Sequence, residues 1–210
     1  MWRSLSYGLL GLALMGSPVV AFSMSANEAI TPKDAYTSEK ARTLAETYAA
    51  NLKQISEKIR QHYPDVKIQP RSLGFKKGKG AVGDERYLSV WIWLPQDQPF
   101  TPEKTDLKGR TATIFERYGR AFFQLLAEDP SILEDDKVSG YAVAFTWMKP
   151  QVGESPSSRK TGETLAIFAD KATVKALLDD RLTPQEFLQQ ALALGFDGRR
   201  ELGRLRFGIE

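Results

Sequence analysis

Hydrophobic positions along this chain follow two different rhythms. Leu44, Tyr48, Leu52, Ile55 and Ile59 recur at helical spacing, and Ile114, Phe115, Tyr118, Phe122, Leu125 and Leu126 form a second such stripe. Apolar residues three and four apart share one face of a helix. The first stripe predicts a helix capped by Thr37 or Ser38 and running to His62, with Lys53, Glu57, Lys58 and Arg60 on its solvated side. The second predicts a helix from Thr111 to Ala127, stopped by Asp129-Pro130.

Period two governs the segments between. Tyr87–Pro95 places Leu88, Val90, Ile92 and Leu94 on one side and Tyr87, Trp91 and Trp93 on the other, because successive side chains alternate across a sheet. A strand apolar on both sides is expected at the centre of a sheet, covered on both faces or covered on one and used for binding on the other. Gly140–Met148 sets Tyr141, Val143, Phe145 and Trp147 against the small Ala142, Ala144 and Thr146, which predicts a helix close against the alanines. Glu163–Ala169 completes a hairpin with it. Val66–Arg71 is expected as a short or edge strand, since Pro70 cannot donate to a ladder.

Start signals are dense towards the end of the chain. Asp170 is placed to cap a short helix holding Val174, Leu177 and Leu178. Thr183, Pro184 and Glu186 compose a capping box, with Leu182 and Phe187 packing across it, and that helix is expected to end at Gly195. Leu205, Phe207 and Ile209 alternate as a late edge strand. Helix, hairpin, helix, hairpin and paired helices describe an α+β fold: a mainly antiparallel sheet of about four or five strands with helices packed on one face, a two-layer sandwich.

The first residues follow a different logic. Arg3 supplies a positive n-region, Leu5–Met15 an apolar run, and Ala21-Phe22-Ser23 a small-residue exit. Those parts in that order are what a secretory signal peptide requires. The expected organisation is therefore a signal peptide over 1–23, a flexible leader over 24–36, and a single α+β domain over 37–210. Cleavage after Ser23 removes 23 of 210 residues and lowers the formal charge from +3 to +2, too mild to imply nucleic acid. The chain has no cysteine, so packing alone must hold an exported fold. These points lead to a soluble periplasmic or secreted protein with no stable membrane span after cleavage.

Catalytic patterns are mostly missing. Gly78-Lys79-Gly80-Ala81-Val82-Gly83 has the spacing G-x-G-x-x-G, but it leads into a strand rather than opening a helix, so it is expected to be a hairpin tip and no nucleotide cofactor is implied. Lys76, Lys77 and Lys79 beside those glycines are a candidate anion site; the plainer reading is that they keep the tip soluble. The single histidine, His62, suits a helix C-terminus, and one histidine without cysteine rules out the usual zinc sets, so no metal is expected. Ser157 and Lys160 have Ser-x-x-Lys spacing in a polar loop, and acidic clusters occur at Asp84/Glu85, Glu134/Asp135/Asp136 and Asp179/Asp180 without visible geometry.

Aromatic residues are the most specific remaining signal. If Trp91 and Trp93 share a sheet face with Tyr141, Phe145 and Trp147, that face is a broad aromatic surface. Trp91, Trp93, Tyr141 and Trp147 are accordingly the candidate ligand-binding residues, for sugar rings, a peptide or a lipid, against the plainer reading of a packed core. The functional expectation is an exported cell-envelope protein that binds a partner protein or small ligand without catalysis. The alternative is an envelope hydrolase acting on glycan or peptide through carboxylate or Ser/Lys chemistry.

Overall fold

A computed structural model describes residues 25–78, 83–95, 106–148, 162–196 and 201–205. The expected signal peptide, Lys79 of the basic tip, and Ser157 and Lys160 lie outside the described residues.

The fold is mixed α+β, around one open, mostly antiparallel sheet. Strands β1 (Lys67–Ile68), β2 (Gly74–Lys77), β3 (Arg86–Trp93), β4 (Gly140–Met148), β5 (Gly162–Asp170), β6 (Leu192–Phe196) and β7 (Glu201–Arg204) compose it. β1 and β2 both pair with β3, one at each end, so they act as a single broken edge strand and the sheet has one more position than the sequence predicts. β3 and β4 run parallel; the other pairings are antiparallel.

The helices largely start where the sequence marks them. Ser38, Asp170 and Thr183 each accept a backbone N–H at the cap of α2 (Glu39–Thr47), α7 (Lys171–Leu178) and α8 (Pro184–Gln190), and the Thr183–Glu186 capping box is complete. The first predicted helix is broken at Tyr48 into α2 and α3 (Ala49–His62), whose last turn holds His62. The second begins earlier than predicted, at Leu107, where Asp106 accepts the Gly109 N–H at 2.6 Å. It continues as α4 (Leu107–Ile114), a π-turn over Phe115–Gly119, and α5 (Arg120–Ala127). A Cβ on Gly119 would lie 2.2 Å from the Phe115 ring, so only glycine fits that turn.

Two expectations fail for identifiable reasons. Residues 25–36, expected as leader, form α1 (Ala26–Ala29) with a complete Ser25–Glu28 capping box, then a 3-10 turn at Lys33–Ala35. Ala29 and Tyr36 are buried, and the Arg71, Ser72 and Leu73 N–H groups donate to Glu28 and Ala29, so local caps and long-range bonds together order the segment. The last helix does not reach Gly195: it ends at Gln190, and Leu192–Phe196 pairs with β5 instead. Alanine and leucine favour helix, but tertiary pairing overrides propensity here. A Cβ on Gly195 would come within 3.0 Å of Leu107 and 3.1 Å of Leu205, so a larger residue there would press on both leucine side chains.

The core lies on one side of the sheet. Leu88, Val90 and Ile92 of β3, Tyr141, Val143, Phe145 and Trp147 of β4, and Leu165 and Ile167 of β5 are all buried. Phe122 meets the Phe145 ring edge-on at 5.5 Å, and Phe187 stacks on Phe115 at 5.1 Å. Where the core reaches the end of β5, Arg110 donates to both oxygens of the buried Glu163, at 2.7 and 2.5 Å, and the Trp147 indole donates to the same carboxylate at 3.0 Å.

Candidate functional site

The opposite face of the sheet is built from the other parity of the same strands. Register aligns Trp93 with Thr146, Thr164 and Phe196; Trp91 with Ala144, Ala166 and Leu194; and Ser89 with Ala142, Phe168 and Leu192. Trp91, Trp93 and Phe196 are the large hydrophobic residues most exposed among those described, at 39%, 38% and 38%. The small residues of the middle strands leave a concavity of about 500 Å³ beside Trp91. Its floor is Ser89, Ala142, Ala144 and Ala166, with Phe168 on the far side and Arg71, Lys76 and Lys77 at the edge.

This register overturns the expected grouping of the aromatic residues. Trp91 and Trp93 do not share a face with Tyr141, Phe145 and Trp147, which pair with the Leu88 and Ile92 parity and lie wholly inside the core. Among the described residues no helix packs against the alanines as expected: Ala142 and Ala144 line the concavity. Bulky side chains face the helices, where they fill volume, and alanines face the open side.

Polar groups on the open face are turned towards one another. The Trp91 indole donates to Thr146 Oγ1 at 2.7 Å, and the Thr146 and Thr164 hydroxyls share a bond of 2.7 Å. Ser89 donates to the Gly74 carbonyl at 3.0 Å, and the Trp93 indole donates to Gln69 Oε1. Since each hydroxyl carries one proton, the threonine pair retains a single O–H for any outside acceptor.

The broken edge strand holds the wall in place. Between β1 and β2 the chain steps aside at Gln69–Leu73, and Gln69 N–H donates to the Trp91 carbonyl at 2.8 Å while Ser72 Oγ accepts the Trp91 N–H at 3.2 Å. Arg71 occupies the left-handed region at φ 55°, an uncommon conformation for a residue other than glycine. The Arg71 carbonyl accepts from Thr31 Oγ1 at 2.9 Å, which ties the step to the segment after α1, and from Lys76 Nζ at 3.3 Å. Lys76 lies over the Tyr36 ring at 5.6 Å, and partial burial lowers its pKa from the ordinary lysine value. On the other rim Tyr87 packs edge-on against Phe168 at 5.7 Å, and burial, then the nearby Glu85 and Asp170 charges, raise its phenol pKa.

Four of the other candidate carboxylates, Asp84, Asp135, Asp179 and Asp180, have structural partners. Asp135 accepts from the Tyr48 hydroxyl at 3.0 Å and from the Lys137 N–H at 2.8 Å. Asp84 binds Ser38 at 2.6 Å and pairs with Arg86; Asp179 pairs with Arg181 at 3.0 Å and Asp180 with Arg120 at 2.6 Å. Among the described residues, no three His, Cys, Asp or Glu side chains gather as a metal site, and no helix is long and apolar enough to cross a membrane.

Sequence reasoning missed Arg71, Ser89, Ala142, Ala144, Ala166 and Phe168. The signal for most of them was present in the small parity of residues 140–148 and in the Thr164, Ala166, Phe168 alternation, had it been taken as space rather than as a helix contact. Comparison with protein-family models, with curated proteins and with solved structures finds no match.

Proposed function

We propose that this chain is an exported cell-envelope protein that binds a small ligand or partner, without catalysis, on the open face of its sheet. The observation that carries the reading is the concavity beside Trp91, walled by aromatic rings and floored by alanines. Its volume falls within the range of about 300–1,000 Å³ typical of small-molecule sites. The arrangement behind it is a two-layer sandwich, with the helices on the Leu88 and Phe145 side and the ligand lying where a third layer would. Supporting this, α5 and α7 pack on β4, and Phe122 and Tyr118 meet Phe145 on that side. Export rests on the order of parts in residues 1–23, which ends two residues before the Ser25 cap of α1.

Two measurements test the reading. Full-length chain carrying a C-terminal tag is expected in the periplasmic fraction or medium with the mass of residues 24–210; full-length mass confined to the membrane fraction contradicts export. In the processed protein, acrylamide is expected to quench Trp91 and Trp93 readily while buried Trp147 resists. Uniformly blue-shifted, unquenched emission would contradict an open face. The hydrolase alternative requires turnover of a cell-wall or peptide substrate that is lost on changing Glu134, Asp135 or Asp136.

A further inference from the structure

The same face carries enough detail to name a ligand class, an inference that rests on the reading just given. Three chemistries suit an aromatic-walled concavity: a sugar, a peptide or an acyl chain. A sugar presents hydroxyl groups that need donors and acceptors around the ring, yet Trp91, Thr146, Thr164 and Ser89 bond to one another or to backbone. An extended peptide adds to a sheet edge through its backbone, whereas this concavity lies on the face of the sheet. An acyl chain needs only apolar contact.

The trough has direction as well as chemistry. From β2 through β3 and β4 to β5 is three inter-strand steps, about 14 Å at about 4.8 Å each. Ser89, Ala142, Ala144 and Ala166 floor it, with Phe168 of β5 at its far end. Its edge at β2 is cationic. Lys76 has committed one N–H to the Arg71 carbonyl, and Arg71 stands beside it, whereas Lys77 pairs with Arg86 on the parity of Leu88. No acidic side chain lines the concavity among the described residues.

We infer that the open face binds a single-chain anionic amphiphile, with its acyl chain along the Ala142–Ala144–Ala166 floor against Trp91 and its head group at Lys76 and Arg71. The head is a carboxylate or phosphate monoester, and the chain is what distinguishes this ligand from a free anion. Trp91 touches the chain and is the natural reporter.

Dodecanoate brominated at its chain end is the probe, added below its micelle concentration to the processed full chain, since bromine quenches a neighbouring indole on contact. Saturable quenching is expected, largely lost in Trp91→Phe. The matching brominated dodecanol is expected to bind about tenfold more weakly, the scale of one charge-assisted hydrogen bond. Lys76→Glu/Arg71→Glu should remove that preference while leaving the alcohol's affinity unchanged. Ala144→Leu/Ala166→Leu should abolish both; because filling the floor risks disturbing the fold, its circular dichroism and urea midpoint are compared with wild type, and the rim variant gives an independent reading.

Equal binding of acid and alcohol in wild type overturns the anionic head while leaving the open face as the site. Displacement of the probe by acetate or inorganic phosphate at equal concentration overturns the amphiphile in favour of a bare anion site. Absence of Trp91-dependent quenching by either probe overturns the acyl-chain assignment. Quenching that persists in a folded floor-filled variant places the site elsewhere and overturns the reading of the open face as well.

Discussion

The two faces of this sheet are made by the same strands and are both apolar, but they are apolar in different ways. On the helix side Tyr141, Phe145 and Trp147 stand in one row of β4 and are wholly buried. One residue along the backbone, Ala142 and Ala144 leave open space beside Trp91. Large residues on one parity are packed into the core. Small residues on the other, with bulky ones only at the margins, make a trough. Apolar character alone therefore does not separate the core face from the open one; the distribution of side-chain size across the strands does.

The sharpest way to break this comparison is to truncate one aromatic residue on each face. Phe145→Ala should lower stability by about 3–5 kcal/mol in urea denaturation, the usual cost of emptying a buried aromatic position. Trp91→Ala should lower it by about 1–2 kcal/mol, from partial area and one hydrogen bond to Thr146. Similar losses in the two variants would mean the Trp91 face is packed like the other.

The buried carboxylate on the helix side should be equally costly to disturb. Glu163→Ala leaves Arg110 buried without that partner and should cost about 3–5 kcal/mol. Denaturation of the variant at several salt concentrations checks this, since a buried pair is screened little.

Tyr141 sharpens the comparison from the opposite direction. Its hydroxyl is buried with no hydrogen-bond partner among the described residues, and burial first, with the Asp129 charge behind it, pushes its pKa far up. A buried, unsatisfied hydroxyl costs about 1–3 kcal/mol, so Tyr141→Phe should leave stability unchanged or raise it. It should also leave ligand binding intact, whereas a Tyr141 that contacts ligand would weaken it.

The smallest effect expected is a pH dependence at the open rim. Burial lowers the Lys76 pKa in the folded state below its unfolded value near 10.5, so the ammonium form is disfavoured on folding. Between those two values the unfolded chain binds more protons, and stability rises with pH. Lys76→Met should flatten that alkaline rise and leave the acid limb unchanged, as read from urea midpoints between pH 7 and 11.

Much of the local structure was legible in the residues. Ser38, Asp170 and Thr183 cap as their side chains dictate, and β4 and β5 fall almost where alternation puts them. What alternation leaves open is how two strands align. It divides each strand into two faces but does not say which face of β3 lies beside which face of β4. That choice depends on long-range parallel pairing, here Trp91 with Ala144 and Ile92 with Phe145. Matching large residues to large ones put Trp91 with Tyr141 and Trp147, and the register separates them. Leu192–Phe196 was hidden for a related reason, because Ala-Leu-Ala-Leu satisfies helix propensity and only the waiting edge of β5 makes it a strand. The broken edge at Gln69–Leu73 left Pro70 as its one sequence signal, and that signal gave an interruption without its consequence, the seating of Trp91.

The claim that one face is core and the other is site is tested most directly by methyl NMR during titration with dodecanoate. The Ala142, Ala144 and Ala166 methyl groups should show the largest shifts, saturating together with the quenching of Trp91, while Leu88, Val90, Leu165 and Ile167 move little. Shifts centred on the second group, or alanine signals that stay in place as ligand binds, would contradict the account.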